Sequence, residues 1–213
     1  MKAQKAFFFA LLHRMRLIRR WSLMRNTQNE NIQEHSLEVA YLAHALALIR
    51  LRCFPEETPC PSPQRCVMLA LYHDASEIIT GDLPTPVKYY NEDLRGAFRG
   101  MEEAAQKILY AGIPEEIRED YRPLLFPEQE SPEEQMAQKI VKAADTLSAY
   151  IKCLDERRAA NREFADAELE IRQKLESYKL PELNLFLEQM LPSFELTLDE
   201  LRSLGEDPAG RCC

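Results

Sequence analysis

The chain has 213 residues, 46% hydrophobic and 29% charged, with 27 Lys+Arg against 35 Asp+Glu and a net charge of −8. A chain of this length can form one large domain that buries roughly 70% of its unfolded surface, so its core needs no disulfide or structural metal. The acidic balance excludes a general nucleic-acid binder, whose footprint is a basic surface.

The opening "MKAQKAFFFALLHRMRLIRR" has an apolar run of about eight residues that meets His13-Arg14 directly. That run is too short to span a bilayer and lacks a cleavage signal, so it reads as an amphipathic first helix over about residues 3–18 of a cytoplasmic protein with no membrane partner. A second helix follows in "NENIQEHSLEVAYLAHALALIRLR", with Ile32, Val39, Leu42, Leu46 and Ile49 along one stripe. "FPEETPCPSPQ" is a proline-rich loop. Val67, Leu69, Ala70, Leu71 and Ile78 mark a third helix, expected to run on to an αL stop at Gly81. A fourth helix lies between a candidate N-cap, Asn91, and a stop at Gly112, and a short one follows Pro114. "SPEEQMAQKIVKAADTLSAYIKCLDERRAA" opens with Ser131 as N-cap, Pro132 at the first helical position and Glu134 closing a capping box. "DAELEIRQKLESYK" and "PELNLFLEQMLPSF" supply two more helices. No run alternates like a strand, which makes the chain all-α, a single-domain helical bundle over residues 1–204 with a loose tail at 205–213. The six cysteines form no C-x-x-C pair and read as free thiols, the terminal Cys212-Cys213 as part of that tail.

Certain ionisable residues sit where a core belongs. His73 and Asp74 are consecutive on the third helix, about 100° apart around its axis, and Glu77 falls one turn later on the same side. His35 stands near the start of the second helix, and Asp145 lies among the apolar or small residues Val141, Ala144, Leu147 and Ala149. Each alone has an ordinary explanation: Glu77 as a solvated helix charge, Asp145 as a cap or lysine partner, His13 and His44 as core or boundary histidines. Two imidazoles and two carboxylates spread over three helices suit a divalent ion instead, in a bundle core with positions left for water and substrate. That donor set accepts manganese, iron, cobalt, nickel or zinc.

The pattern His35, His73-Asp74, Asp145 resembles the metal-binding signature of the HD-domain phosphohydrolases, an all-α superfamily. The stretches "RRWSLMRN", "ENIQEHSLEVA", "YHDASEIITGDLPTPVKYYN" and "KAADTLSAYIKCLDE" are similar to its bacterial 5′-deoxynucleotidase branch, over about Phe7 to Leu201. The resemblance implies hydrolysis of 5′-deoxynucleoside monophosphates by a homodimer, supported by cobalt or manganese held by His35, His73, Asp74 and Asp145. It implies a catalytic role beside the metal for Glu77 and a phosphate-orienting, catalytic role for Arg20. It further implies substrate contacts from Arg20, Trp21, His35, Asp74, Asp145 and the Asp82, Leu83, Pro84 and Thr85 loop, with Trp21 against the sugar. Without the resemblance, Arg20 would be a basic helix end and Trp21 a core aromatic. The alternatives are another HD phosphohydrolase acting on dNTPs or guanosine tetraphosphate, and a non-catalytic module that binds a nucleotide.

Overall fold

The structure, a computed structural model, describes residues 6–88, 90–128 and 130–206. Eleven α-helices follow one another among these residues: α1 (Phe8–Leu12), α2 (Ile32–Cys53), α3 (Pro63–Tyr72), α4 (Glu77–Thr80), α5 (Thr85–Lys88), α6 (Glu92–Ala111), α7 (Glu115–Leu125), α8 (Pro132–Arg158), α9 (Ala165–Ser177), α10 (Pro181–Gln189) and α11 (Leu198–Glu206). The described residues hold no β-strand, only an isolated antiparallel bridge between Arg19 and Asn31. The all-α expectation holds, and no described helix is long and apolar enough to cross a membrane. Gly205 and Glu206, expected in a loose tail, end α11, and the rest of that expected tail, with Cys212 and Cys213, lies outside the described residues.

Capping chemistry sets the long helices. Asn31 starts α2 by accepting from the amides of Gln33 and Glu34, while the Glu34 carboxylate returns to the Asn31 amide, a complete capping box. Asn91 caps α6 through the amide of Leu94, as expected. Ser131 caps α8 through the amide of Glu134. The box expected there is not closed, because Glu134 turns its carboxylate to Arg65 at 2.5 Å.

Three further expectations are corrected. The first helix is only α1, continued by a 3₁₀ turn over His13–Leu17, so Arg20 lies in a loop beyond any helix end. The third helix does not run to Gly81: α3 stops at Tyr72, His73–Ser76 form a turn, and α4 begins at Glu77. In that turn His73 Nδ1 donates to Ala70 O at 2.7 Å, taking up the carbonyl that the Asp74 amide would use in a continuing α-helix. Gly81 ends α4 at φ 75°, ψ 159°, an extended region open essentially to glycine alone rather than the αL form. Gly112 closes α6 for another reason, since a Cβ there would lie 2.6 Å from the Phe7 ring.

Two apolar clusters form the interior. α2, α3 and α8 pack around Leu46, Leu69, Ile140 and Leu147, and α9 and α10 cover them with Leu175 and Leu183. A smaller cluster joins Phe8, Ala75, Leu109, Ile113 and Leu125. Ala70 belongs to the first and Ala75 to the second, so the His73-Asp74 turn spans the seam between them. Among the described residues Cys53, Cys60, Cys66 and Cys153 are free thiols. His13 and His44, expected as core or boundary histidines, are exposed.

Candidate functional site

The first turn of α2, the turn after α3 and the middle of α8 meet at the seam. There ligand atoms of His35, His73 and Asp145 all lie within 4.8 Å of one another. His35 Nε2 is 3.1 Å from Asp145 Oδ1 and 3.6 Å from Asp74 Oδ2. His73 Nε2 is 3.1 Å from Asp74 Oδ2. A cavity of about 240 Å³ opens beside His73 and Asp145, with Leu69, Tyr72 and Val141 among its walls.

The outer partners fix the Nδ1 proton of each imidazole. Ala70 O can only accept, so His73 Nδ1 is an N–H and Nε2 is the nitrogen turned to the site, buried without a hydrogen-bond partner. For His35 the chain of donors runs outward. Ser148 donates its hydroxyl to Glu38 Oε2 at 2.5 Å, so it can only accept from His35 Nδ1, 3.1 Å away. His35 Nε2 therefore also turns inward, within hydrogen-bond distance of Asp145 Oδ1 at 3.1 Å. Two inward Nε2 atoms beside two carboxylates, each imidazole anchored through its other nitrogen, is how proteins prepare histidines for a divalent cation. The donor set fits such an ion.

The electrostatics favour positive charge at this seam. Burial opposes a charged His73, yet Asp74 and Asp145 outweigh it and push its pKa up to about 9. Burial likewise opposes ionised Asp74 and Asp145, but the imidazoles hold both below the usual carboxylate range, assisted at Asp145 by Arg20. Glu77 behaves oppositely. Burial, with Asp74 and Asp82 nearby, pushes it up to about 9, and its buried Oε2 has no hydrogen-bond partner.

A loop from Ile18 to Ile32 brings Arg20 and Trp21 to the cluster. It is pinched by Arg20 N donating to Glu30 O at 3.0 Å and Ile32 N to Ile18 O at 3.1 Å. Its far side is tied to α8 by Glu156, which accepts from the Thr27 amide at 3.0 Å and from Lys152 Nζ at 2.5 Å. Arg20 Nη2 reaches within 4.0 Å of Asp145 Oδ1. Trp21 has φ 58°, a left-handed conformation that costs an L-residue roughly 1–2 kcal/mol. Its carbonyl accepts from the Met24 amide and Asn26 Nδ2, and its ring packs on Phe164 at 5.2 Å. Asp82 completes this side: its pKa is raised by burial, against the opposing pull of Arg20 and the Trp21 backbone. Leu83 and Pro84 follow, half-buried, on the same loop. Thr85 opens α5, and its side chain lies outside the described residues.

Sequence pattern alone does not single out Glu30, Glu38 or Ser148. Two of these left a signal, a polar residue three positions after a site residue: Glu38 after His35 and Ser148 after Asp145, each on the same helix face. Glu30 left none, because the loop's fold alone brings it in.

The model of the YfbR-like 5′-deoxynucleotidase family matches residues 7–194. The chain belongs to this family. Relatives named 5′-deoxynucleotidase include one from Vibrio atlanticus, 48% identical over 198 residues, covering 93% of this chain and 99% of the relative. Another, from Erwinia tasmaniensis, is 47% identical over 194 residues, covering 91% and 95%. An HD-domain phosphohydrolase from Listeria innocua superposes with a TM-score of 0.74 at 24% identity, covering 94% of this chain and 95% of that one. The cyanophage S-2L HD phosphohydrolase, solved with dA and one catalytic Zn²⁺, superposes with a TM-score of 0.61 at 21% identity, covering 88% and 96%. Together the two structures establish that this 5′-deoxynucleotidase family member has the HD-domain fold.

Proposed function

We propose that this protein hydrolyses 5′-deoxynucleoside monophosphates to the deoxynucleoside and phosphate, with a divalent metal ion held by His35, His73, Asp74 and Asp145. The observation that carries the reading is the pair of inward Nε2 atoms beside two carboxylates, with the Arg20 guanidinium within 4.0 Å of one of them. It is supported by the deoxynucleotidase names of the relatives at 47–48% identity and by the dA and zinc in the cyanophage protein.

When bound, such an ion supplies charge stabilisation at the phosphate and easier ionisation of the attacking water. The chain's own residues do the rest. Arg20 presents a fixed fork of donors to phosphate oxygens and stays charged at every working pH. The buried carboxyl of Glu77 holds a proton at neutral pH and can deliver it to the departing 5′-oxygen. As the oxygen–phosphorus bond of the ester breaks, a water oxygen bonds to phosphorus, and the deoxynucleoside leaves with a 5′-hydroxyl. Trp21 and the Asp82–Thr85 loop line the sugar side. The reading extends to cobalt or manganese as the working ion, the cytoplasm as location and a homodimer as the active form.

The test is phosphate release from a panel of deoxy- and ribonucleoside mono- and triphosphates, using chelated enzyme with and without added Co²⁺, Mn²⁺ or Zn²⁺. The expected result is metal-dependent release from deoxynucleoside monophosphates. Release that ignores chelation, or that occurs only from triphosphates, overturns it.

A further inference from the structure

Arg20, Trp21 and His35 reach the site from a loop and a helix, and one side chain addresses all three. Glu30 Oε2 accepts from Arg20 Nη1 at 2.9 Å and from Trp21 Nε1 at 2.9 Å. Its other oxygen, Oε1, lies 3.6 Å from His35 Nδ1, and its backbone carbonyl accepts from the Arg20 amide at 3.0 Å. The side chain is only 14% exposed, in a wall between the cluster and a second cavity of about 210 Å³.

We propose that Glu30 is a positioning residue, whose single carboxylate sets the phosphate-gripping arginine, the sugar-side tryptophan and the ligand histidine relative to one another. The inference rests on the function proposed above and deepens it. Chemistry explains why the residue is a carboxylate. Guanidinium and indole N–H groups can only donate, and His35 Nδ1 is an N–H as well, because Ser148 can only accept from it. All three partners therefore offer protons. A carboxylate faces them with two acceptor oxygens and no hydrogen. A glutamine of the same size must turn its NH₂ either toward Arg20 and Trp21 or toward His35, and either way a donor meets a donor. Aspartate keeps the charge but is one methylene too short to hold this geometry.

Trp21 is the only tryptophan in the chain, so its emission reads the indole side of this arrangement directly. The experiment compares full-length wild type with Glu30→Gln by tryptophan emission and acrylamide quenching, Mn²⁺ titration, and kcat/KM on a deoxynucleoside monophosphate. Glu30→Gln is expected to keep its helical circular dichroism while its emission shifts and quenching rises. Mn²⁺ affinity and kcat/KM should each fall roughly 10–100-fold, the usual loss when a partner that orients a ligand is changed. In a Trp21→Phe background, which has no N–H to hold, the Glu30→Gln loss in kcat/KM should shrink. A folded Glu30→Gln with unchanged emission and kcat/KM, or one that loses only thermal stability, overturns the proposal, as does full additivity with Trp21→Phe. Should Glu30→Gln fail to fold, Glu30→Asp carries the same measurements, and the same results support or overturn the proposal. If wild type releases no phosphate from any deoxynucleotide, the proposed function falls, while the emission and Mn²⁺ arms still decide whether Glu30 positions Trp21 and His35.

Discussion

Ser148 stands one turn beyond Asp145 on α8 and accepts the Nδ1 proton of His35 at 3.1 Å. It donates its own hydroxyl to Glu38, so a buried serine decides which nitrogen His35 turns to the site. Ser148→Ala removes this link and leaves the buried N–H only the Glu30 carboxylate, 3.6 Å away. Metal affinity is expected to drop roughly 10–100-fold with the fold retained, measured by titrating Mn²⁺ into the chelated protein. Unchanged affinity would show that Glu30 alone holds the imidazole.

Asp74 and Glu77 are three residues apart but should fail in different ways. Asp74→Ala takes away a carboxylate wedged between two imidazoles, and metal content and activity should disappear together. Glu77→Ala should keep its metal and lose roughly 10²–10⁴-fold in turnover, the contribution of a positioned acid or base. Metal analysis beside kinetics on both variants separates the roles. Loss of metal from Glu77→Ala would make Glu77 a ligand or a ligand's support.

The long helices were legible in sequence: α2 by its apolar stripe, α6 and α8 because their starts are written locally, with Asn91 and Ser131 capping them whatever surrounds them. The four-residue cluster was legible because its members are ionisable in otherwise apolar helices. The break at His73–Ser76 was not, since no Gly or Pro marks it; a side chain capturing the Ala70 carbonyl ends the helix. Glu30 was hidden for a related reason. Its importance comes from a loop closing on itself, and loop closure leaves no periodicity to read.

Arg20→Lys distinguishes charge from shape. Arg20 lies half-buried between Glu30 and Asp145, and their charges hold its pKa above the usual value against the pull of burial. Lysine keeps the charge but offers a point rather than a fork. kcat/KM is expected to stay well below wild type. Near-wild-type kinetics would mean that charge alone suffices at position 20.

Away from the site, Arg50 at 2% exposure meets fully buried Glu182 through Nη1, at 3.1 and 3.0 Å to the two carboxylate oxygens. Its Nε also donates to Pro59 O at 3.0 Å, so α2, α10 and the proline-rich loop share one guanidinium. Glu182→Ala strands that charge and should cost about 3–5 kcal/mol, read from urea unfolding. A loss under about 1 kcal/mol would show that water reaches Arg50 once its partner is gone.

Glu156 gives the fold a pH dependence whose sign can be worked out. Burial alone would raise its pKa, but hydrogen bonds from Lys152, Asn161 and the Thr27 amide outweigh it and lower the folded value from 4.5 to about 2. A depressed carboxylate stabilises the fold fully above its unfolded pKa, and the contribution is lost as pH falls through the folded one, here between 4.5 and about 2. The displacement corresponds to at most about 3 kcal/mol, less whatever solvent screening removes. Glu156→Gln should therefore be less stable than wild type at pH 7, with the gap closing as pH is lowered from about 4.5 toward 3. Taking the difference between the two proteins at each pH cancels the carboxylates they share. A gap that stays constant from pH 7 to 3 would mean that Glu156 is neutral or unpaired in the fold. Because the same carboxylate anchors the loop carrying Arg20 and Trp21, activity at pH 7 should fall along with stability.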